Sequence, residues 1–180
     1  MKNLIIFLSL IILTGACSSA NRRNDSKNFE TKKPGLNKTV MNDSIPKVTG
    51  IGGIFFRSKN PAKSREWYRK NLGLAVNEYG SSFEFRNANK PDKINYLQWS
   101  VFEEGSDYFP SDRQFMINYR VQNIEGLVKK LRENGVTIVD SIEVYDYGKF
   151  VHIMDMEGNK IELWEPVDSV FTIIGGETTK

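Results

Sequence analysis

Glu162 is a carboxylate set in the middle of a strand-like run, Lys160-Ile161-Glu162-Leu163-Trp164-Glu165-Pro166. Mid-strand acids are disfavoured, so this one either faces solvent or has a task inside the fold. Ahead of it, Asp155-Met156-Glu157-Gly158-Asn159 reads as a tight turn, with Gly158 supplying a positive φ. A three-residue turn closed by a bulge pairs Asp155 with Asn159. The single histidine of the chain, His152, then falls opposite Glu162, and Phe150 falls opposite Trp164. A four-residue turn sets Ile153 there instead. An imidazole beside a carboxylate is an acid/base pair, so Glu162 and His152 are the candidate catalytic residues. The same pair also serves as a structural element that neutralises a buried carboxylate, and the residues alone leave both readings open.

The elements that must position this pair occur twice. Val48 to Arg57 is β-branched and aromatic, Asn60-Pro61 starts a helix, and Gly73 ends it. Strands are expected at Leu74–Tyr79, Ser82–Arg86 and Ile94–Phe102. Gln114 to Val121 opens the second half, Asn123 caps a helix with Leu127 and Leu131 on its apolar face, and Asn134-Gly135 closes it. Strands are expected at Val136–Val144, Lys149–Asp155 and Lys160–Glu165. Arg57 and Asn60 recur as Arg120 and Asn123, a spacing of 63 residues. The expected fold class is α+β: two βαβββ modules, 48–102 and 114–167, forming a curved, mostly antiparallel sheet around a concave hollow with the helices outside. Such hollows take small ligands. Residues 168–180 are a tail whose Val170 to Gly176 run is β-prone and suited to a sheet edge or a dimer contact.

The N-terminus stands apart. A basic start at Lys2, an apolar run from Leu4 to Leu13 and then Thr14-Gly15-Ala16-Cys17 have the three parts of a secretory signal, too short to span a bilayer. The only cysteine follows two small residues, which resembles a bacterial lipobox. That resemblance implies removal of 1–16 and attachment of lipid, palmitate among its acyl chains, at Cys17, placing the protein at a membrane of the bacterial cell envelope. No thiol then remains for a disulfide. Residues 17–47 are a polar tether that cannot order itself. Between Ser18 and Lys47 seven basic residues face three acidic ones; the folded part is left near −2 although the whole chain is +3. The basic charge belongs to the tether, which argues against a nucleic-acid partner and for anionic headgroups.

Two βαβββ units, Trp67-Tyr68 leading to Leu72-Gly73-Leu74, and Asp155-Met156-Glu157-Gly158-Asn159-Lys160-Ile161-Glu162-Leu163 resemble the vicinal-oxygen-chelate superfamily of glyoxalases, bleomycin-resistance proteins and extradiol dioxygenases. The resemblance spans 48–167. It implies metal ligands on the first, fourth, fifth and eighth strands. Carried over, these fall on Gly53, at or next to Gln98, on Met116 and on Glu162. Glycine has no donor and a thioether is a poor ligand for the hard and borderline metals of such sites. Only Glu162 is retained, so no cofactor is expected and a divalent metal is disfavoured. Strand parity from these positions turns Phe55, Asn118, Arg57 and Arg120 inward, and repeat symmetry adds Phe83 and Phe85. The ligand-binding set is therefore Gln98, Asn118, Arg57, Arg120, Phe55, Phe150 and Trp164, with aromatic walls for a planar molecule and two arginines at one mouth for an anion.

The reading is a membrane-anchored protein that binds a small aromatic or anionic molecule without a full metal site. The alternative is a glyoxalase-type lyase or isomerase using Glu162 and His152, and a third reading is an interaction domain with no small ligand. Monomer and homodimer are both compatible with the sequence.

Overall fold

The computed structural model describes residues 45–109 and 112–180. Cys17, the signal-like segment 1–16 and the tether up to residue 44 lie outside them. The elements are β1 (Lys47–Ser58), α1 (Pro61–Leu72), β2 (Ser81–Asn87), β3 (Lys90–Glu103), β4 (Phe115–Gln122), α2 (Ile124–Glu133), β5 (Glu143–Tyr145), β6 (Gly148–Met154), β7 (Lys160–Pro166) and α3 (Asp168–Ile174). The seven strands form one mixed sheet in the order β2-β3-β1-β4-β7-β6-β5. β1 runs parallel to β3 and β4 runs parallel to β7; the other pairings are antiparallel. The α+β class is as expected.

Local chemistry explains the helix ends. The Asn60 side chain accepts from the backbone of Lys63 at 2.9 Å, Pro61 fills the first turn, and Gly73 ends α1 at φ 72. Asn123 caps α2 from the left-handed region and accepts from Gly126 at 2.9 Å. The face of α2 carrying Ile124, Leu127 and Val128 packs on Val121, Val151, Ile153 and Leu163. Each such buried aliphatic contributes about 1.5–3 kcal/mol. On the same face, Tyr68 of α1 meets Phe56 and Trp99.

The opposite face carries the alternate residues, and parts of it are covered. Phe55 and Met116 are buried there under Phe109, with Phe102 and Tyr108 packed alongside. Further along, Phe171 of α3 packs against Tyr96, Tyr147 and Trp164.

Three expected strands differ. Leu74–Tyr79 reduces to a single bridge, Val76 to Ser81, because the Asn77 side chain takes the amides of Tyr79 and Gly80 and bends the chain. Val136–Val144 keeps a bridge from Ile138 to Ile153 and the short β5, with Asp140 interrupting it. The β-prone run from Val170 is the helix α3, seated by Phe171; this places a helix on the inward face. The sheet edge at β2 is instead covered by Thr179, which bridges Phe83 and donates its amide to the Ser82 carbonyl at 2.8 Å.

Candidate functional site

The turn before β7 sets the register of the site. The Asp155 carboxylate accepts from the amides of Glu157 and Asn159 and from the Asn159 side chain, all within 2.8–2.9 Å, and Gly158 adopts φ 77. Asp155 therefore pairs with Asn159 around three residues. His152 lies opposite Glu162, and Phe150 lies opposite Trp164, the two rings stacked at 5.7 Å.

The same row continues across the whole sheet. Ser82 pairs with Gln98, Gln98 with Gly53, Gly53 with Asn118, Asn118 with Glu162, and Glu162 with His152. On β4 the member of the row is thus Asn118, not Met116, which pairs with Phe55 instead. A register shift in β1 at Gly52 sets this alignment. A Cβ on Gly52 would sit 2.0 Å from the Asn118 Oδ1 and 2.9 Å from the Trp164 ring, so only glycine fits. On β2 the row residue is Ser82, and Phe83 is displaced from it; Phe85 lies beneath the Arg120 guanidinium.

Glu162 is 2% exposed. The Tyr108 hydroxyl donates to it at 2.7 and 3.1 Å, and Asn118 Nδ2 donates at 3.2 Å. Burial pushes the Glu162 carboxyl above its ordinary range, opposed in turn by the Tyr108 bond, the His152 charge, the Asn118 bond and the Lys160 charge. Burial, then the Glu162 charge, pushes the Tyr108 phenol up, so it stays a donor. Lys160 holds the Tyr108 carbonyl at 2.9 Å.

The direct partner of His152 is Asp140 rather than Glu162. One carboxylate oxygen meets Nδ1 at 2.6 Å and the other accepts the His152 amide at 2.8 Å. Tyr108 stands edge-on to the imidazole at 5.4 Å. Asp140 and Tyr108 are the site residues that the sequence reading did not assign. Their signals were an acid breaking an apolar strand pattern and an aromatic lip in a loop.

Three side-chain atoms along this row are buried with no hydrogen-bond partner: Gln98 Nε2, Asn118 Oδ1 and His152 Nε2. Gln98 uses its oxygen to accept from Ser82 at 2.8 Å. Each unmet group costs about 1–3 kcal/mol.

The two arginines do not share a mouth. β1 and β4 are antiparallel, so equivalent positions fall at opposite ends of the face. Arg57 donates to the carbonyls of Ser106 and Phe109 at 2.8 and 3.0 Å, beside the Phe109 ring. Arg120 is ion-paired with Asp168, donates to the Tyr96 carbonyl at 2.9 Å, and lies between Phe85 and Trp164. Both guanidiniums are engaged within the protein.

The donor set does not fit a divalent ion of the type implied by the sequence resemblance. The Phe55 ring folds over Gly53, 2.6–2.8 Å from where a Cβ would stand, so a first-strand ligand would have to displace the ring, and glycine itself supplies no donor. Glu162 is already bonded by Tyr108 and His152 Nδ1 by Asp140, and apart from His152 Nε2 the remaining donors of the row are neutral amides. Among the described residues no group of three or more His, Cys, Asp or Glu is arranged to hold a metal ion.

The family model described as Glyoxalase/Bleomycin resistance protein/Dioxygenase superfamily matches residues 50–163. No curated protein matches the chain. Among solved structures, a methylmalonyl-CoA epimerase from Streptomyces coelicolor is similar at 14% identity and TM-score 0.53, covering 67% of this chain and 99% of that one. The methylmalonyl-CoA epimerase from Mycobacterium tuberculosis is 22% identical with TM-score 0.48, covering 69% and 93%. A NAD-dependent benzaldehyde dehydrogenase from Legionella pneumophila is 16% identical with TM-score 0.43, covering 63% and 97%. At these identities the likeness is one of fold.

Proposed function

Since the chain belongs to the glyoxalase/bleomycin resistance protein/dioxygenase superfamily, we propose that it is a membrane-anchored member that binds a small, planar polar molecule on the Glu162 row without a metal. The observation that carries this is the set of unmet atoms, Gln98 Nε2, Asn118 Oδ1 and His152 Nε2, buried in one row beside a buried carboxylate. An elongated ligand lying along the row, with an acceptor for Gln98 at one end and a donor for His152 at the other, would satisfy both across about 19 Å of sheet, while Asn118 Oδ1 packs against Gly52. Phe102, Phe55, Phe150 and Trp164 supply the aromatic surroundings. The engaged arginines favour a neutral molecule over an anion. The apolar run Leu4 to Leu13 and the lone Cys17 support the anchor. The parallel pairs β1–β3 and β4–β7, each flanked by an antiparallel partner, support two βαβββ modules.

A thermal-shift screen with neutral aromatic amides and phenols tests the binding. A hit whose affinity falls at least tenfold in both Gln98→Leu and His152→Phe supports it. The reading fails if no compound shifts the wild type and both variants simply gain stability, since the unmet atoms are then only a cost of burial.

A second reading has one specific support. Asp140 at 2.6 Å accepts the Nδ1 proton of His152 and leaves the Nε2 lone pair directed away from it. An imidazole so held is a general base, suited to the proton transfer of a lyase or isomerase. Turnover of a screening hit that is lost in Asp140→Asn, with binding retained, would select this reading.

A further inference from the structure

An aromatic surface unrelated to the Glu162 row runs from α1 over β1 to the start of β4. Trp67 is 55% exposed and stands edge-on to Tyr68 at 5.2 Å; Tyr68 meets Phe56 at 6.0 Å, and Phe56 stacks on Phe115 at 5.8 Å. Phe115 is 62% exposed. The rings form a continuous strip with an open aromatic side chain at each end. Ile54 on β1 and Leu72 at the end of α1 are exposed as well. Lys63 and Lys70 lie four residues before and three after Trp67, so they flank it on the helix surface, and Lys59 precedes the helix; all three are exposed. The one acid of the helix, Glu66, is bonded by Arg69 through two contacts of 2.7 Å. Glu103 and Glu104 lie by Ser58, next to Lys59, so the basic margin is the one formed by Lys63 and Lys70.

We propose that this face docks onto an anionic lipid surface. Exposed indole and phenyl rings sit at headgroup depth, where one side of the ring is apolar and the other wet. Lysines at the margin reach lipid phosphates on long flexible stems. The lysine margin favours lipid over protein as the occupant, because lysine is depleted in protein interfaces. The proposal does not depend on lipid at Cys17, although an anchored chain would hold this face near such a surface.

The chain has three tryptophans, and Trp99 and Trp164 are buried, so a change in emission on membrane contact reports Trp67. The experiment uses the full chain with Cys17→Ser, in which no lipid can be attached, and vesicles of phosphatidylcholine with or without phosphatidylglycerol. A blue shift with phosphatidylglycerol only is expected, along with a fall in partitioning of roughly fivefold for each of Lys63→Gln and Lys70→Gln. Trp67→Ser should weaken co-sedimentation with the same vesicles. No shift with either vesicle overturns the proposal. So does an equal shift on neutral vesicles, or a shift that follows protein concentration without vesicles, which would mark a second copy as the occupant. Restoring Cys17 tests the anchor separately and leaves these outcomes unchanged.

Discussion

The hydroxyl of Tyr108, carried on the loop after β3, donates to both oxygens of the buried carboxylate of Glu162 on β7. Tyr108 in turn stacks on Phe102 with an interplanar angle of 3° and stands edge-on to His152. One loop residue therefore joins the acid of the site, its imidazole and its aromatic wall. Tyr108→Phe removes the donor while keeping the ring. We expect a loss of about 1.5–3 kcal/mol at a pH where the acceptor is charged, and a smaller loss where it is protonated. Urea unfolding of both proteins at two pH values measures it.

Glu162 controls a second pH effect, of opposite sign to that of an ion-paired acid. Its carboxyl is raised above 4.5 in the folded protein by burial. The folded state therefore holds the proton at a pH where the unfolded chain has released it. This contribution to stability is complete below the ordinary carboxylate value and is lost as pH rises through the folded one. Glu162→Gln should remove that fall, raise stability at neutral and alkaline pH, and leave Tyr108 an oxygen to bond. Unfolding free energies measured from acid to mildly alkaline pH would refute this if the wild type and the variant fell in parallel.

Asp140 fixes the imidazole through two bonds, one to the ring and one to the backbone of His152. Asp140→Asn should release the Nδ1 tautomer and leave both tautomers populated. Nitrogen chemical shifts of the single histidine read this directly, and an unchanged tautomer would remove Asp140 from the positioning role. A stability loss of about 1–3 kcal/mol should accompany it.

Metal titration checks the chemistry of the row. Calorimetry with nickel, manganese or zinc should show no site tighter than micromolar, because Gly53 has no donor and Met116 offers only a thioether. A stoichiometric nanomolar site abolished by Glu162→Gln would contradict this.

Much of the architecture was legible in the chain because it follows from short-range chemistry. Asn60-Pro61 and Gly73 mark α1, Asn123 marks α2, and the Asp155–Gly158 turn sets the parity that brings His152 opposite Glu162. The tail was misjudged for a physical reason. Val170 to Ile174 is β-branched and aromatic, yet as a helix it sets Phe171 against Tyr96 and Trp164, and that long-range contact outweighs local preference.

The site was only partly legible. The sequence alone determined that Glu162 sits mid-strand, that its cross-strand neighbour is His152 for a three-residue turn or Ile153 for a four-residue one, and that glycine stands at position 53, because turn geometry and period-two alternation act over a few residues. Only the tertiary structure decided that Asn118 rather than Met116 completes the row, since that depends on how β4 registers against β1. It also decided that Asp140 takes His152, that Tyr108 takes Glu162, and that Asp168 and loop carbonyls take the two arginines. These partners lie between 12 and 54 residues apart in the chain. Their pairing follows from packing and from the cost of leaving buried charges and donors unmet, a requirement that no local pattern records.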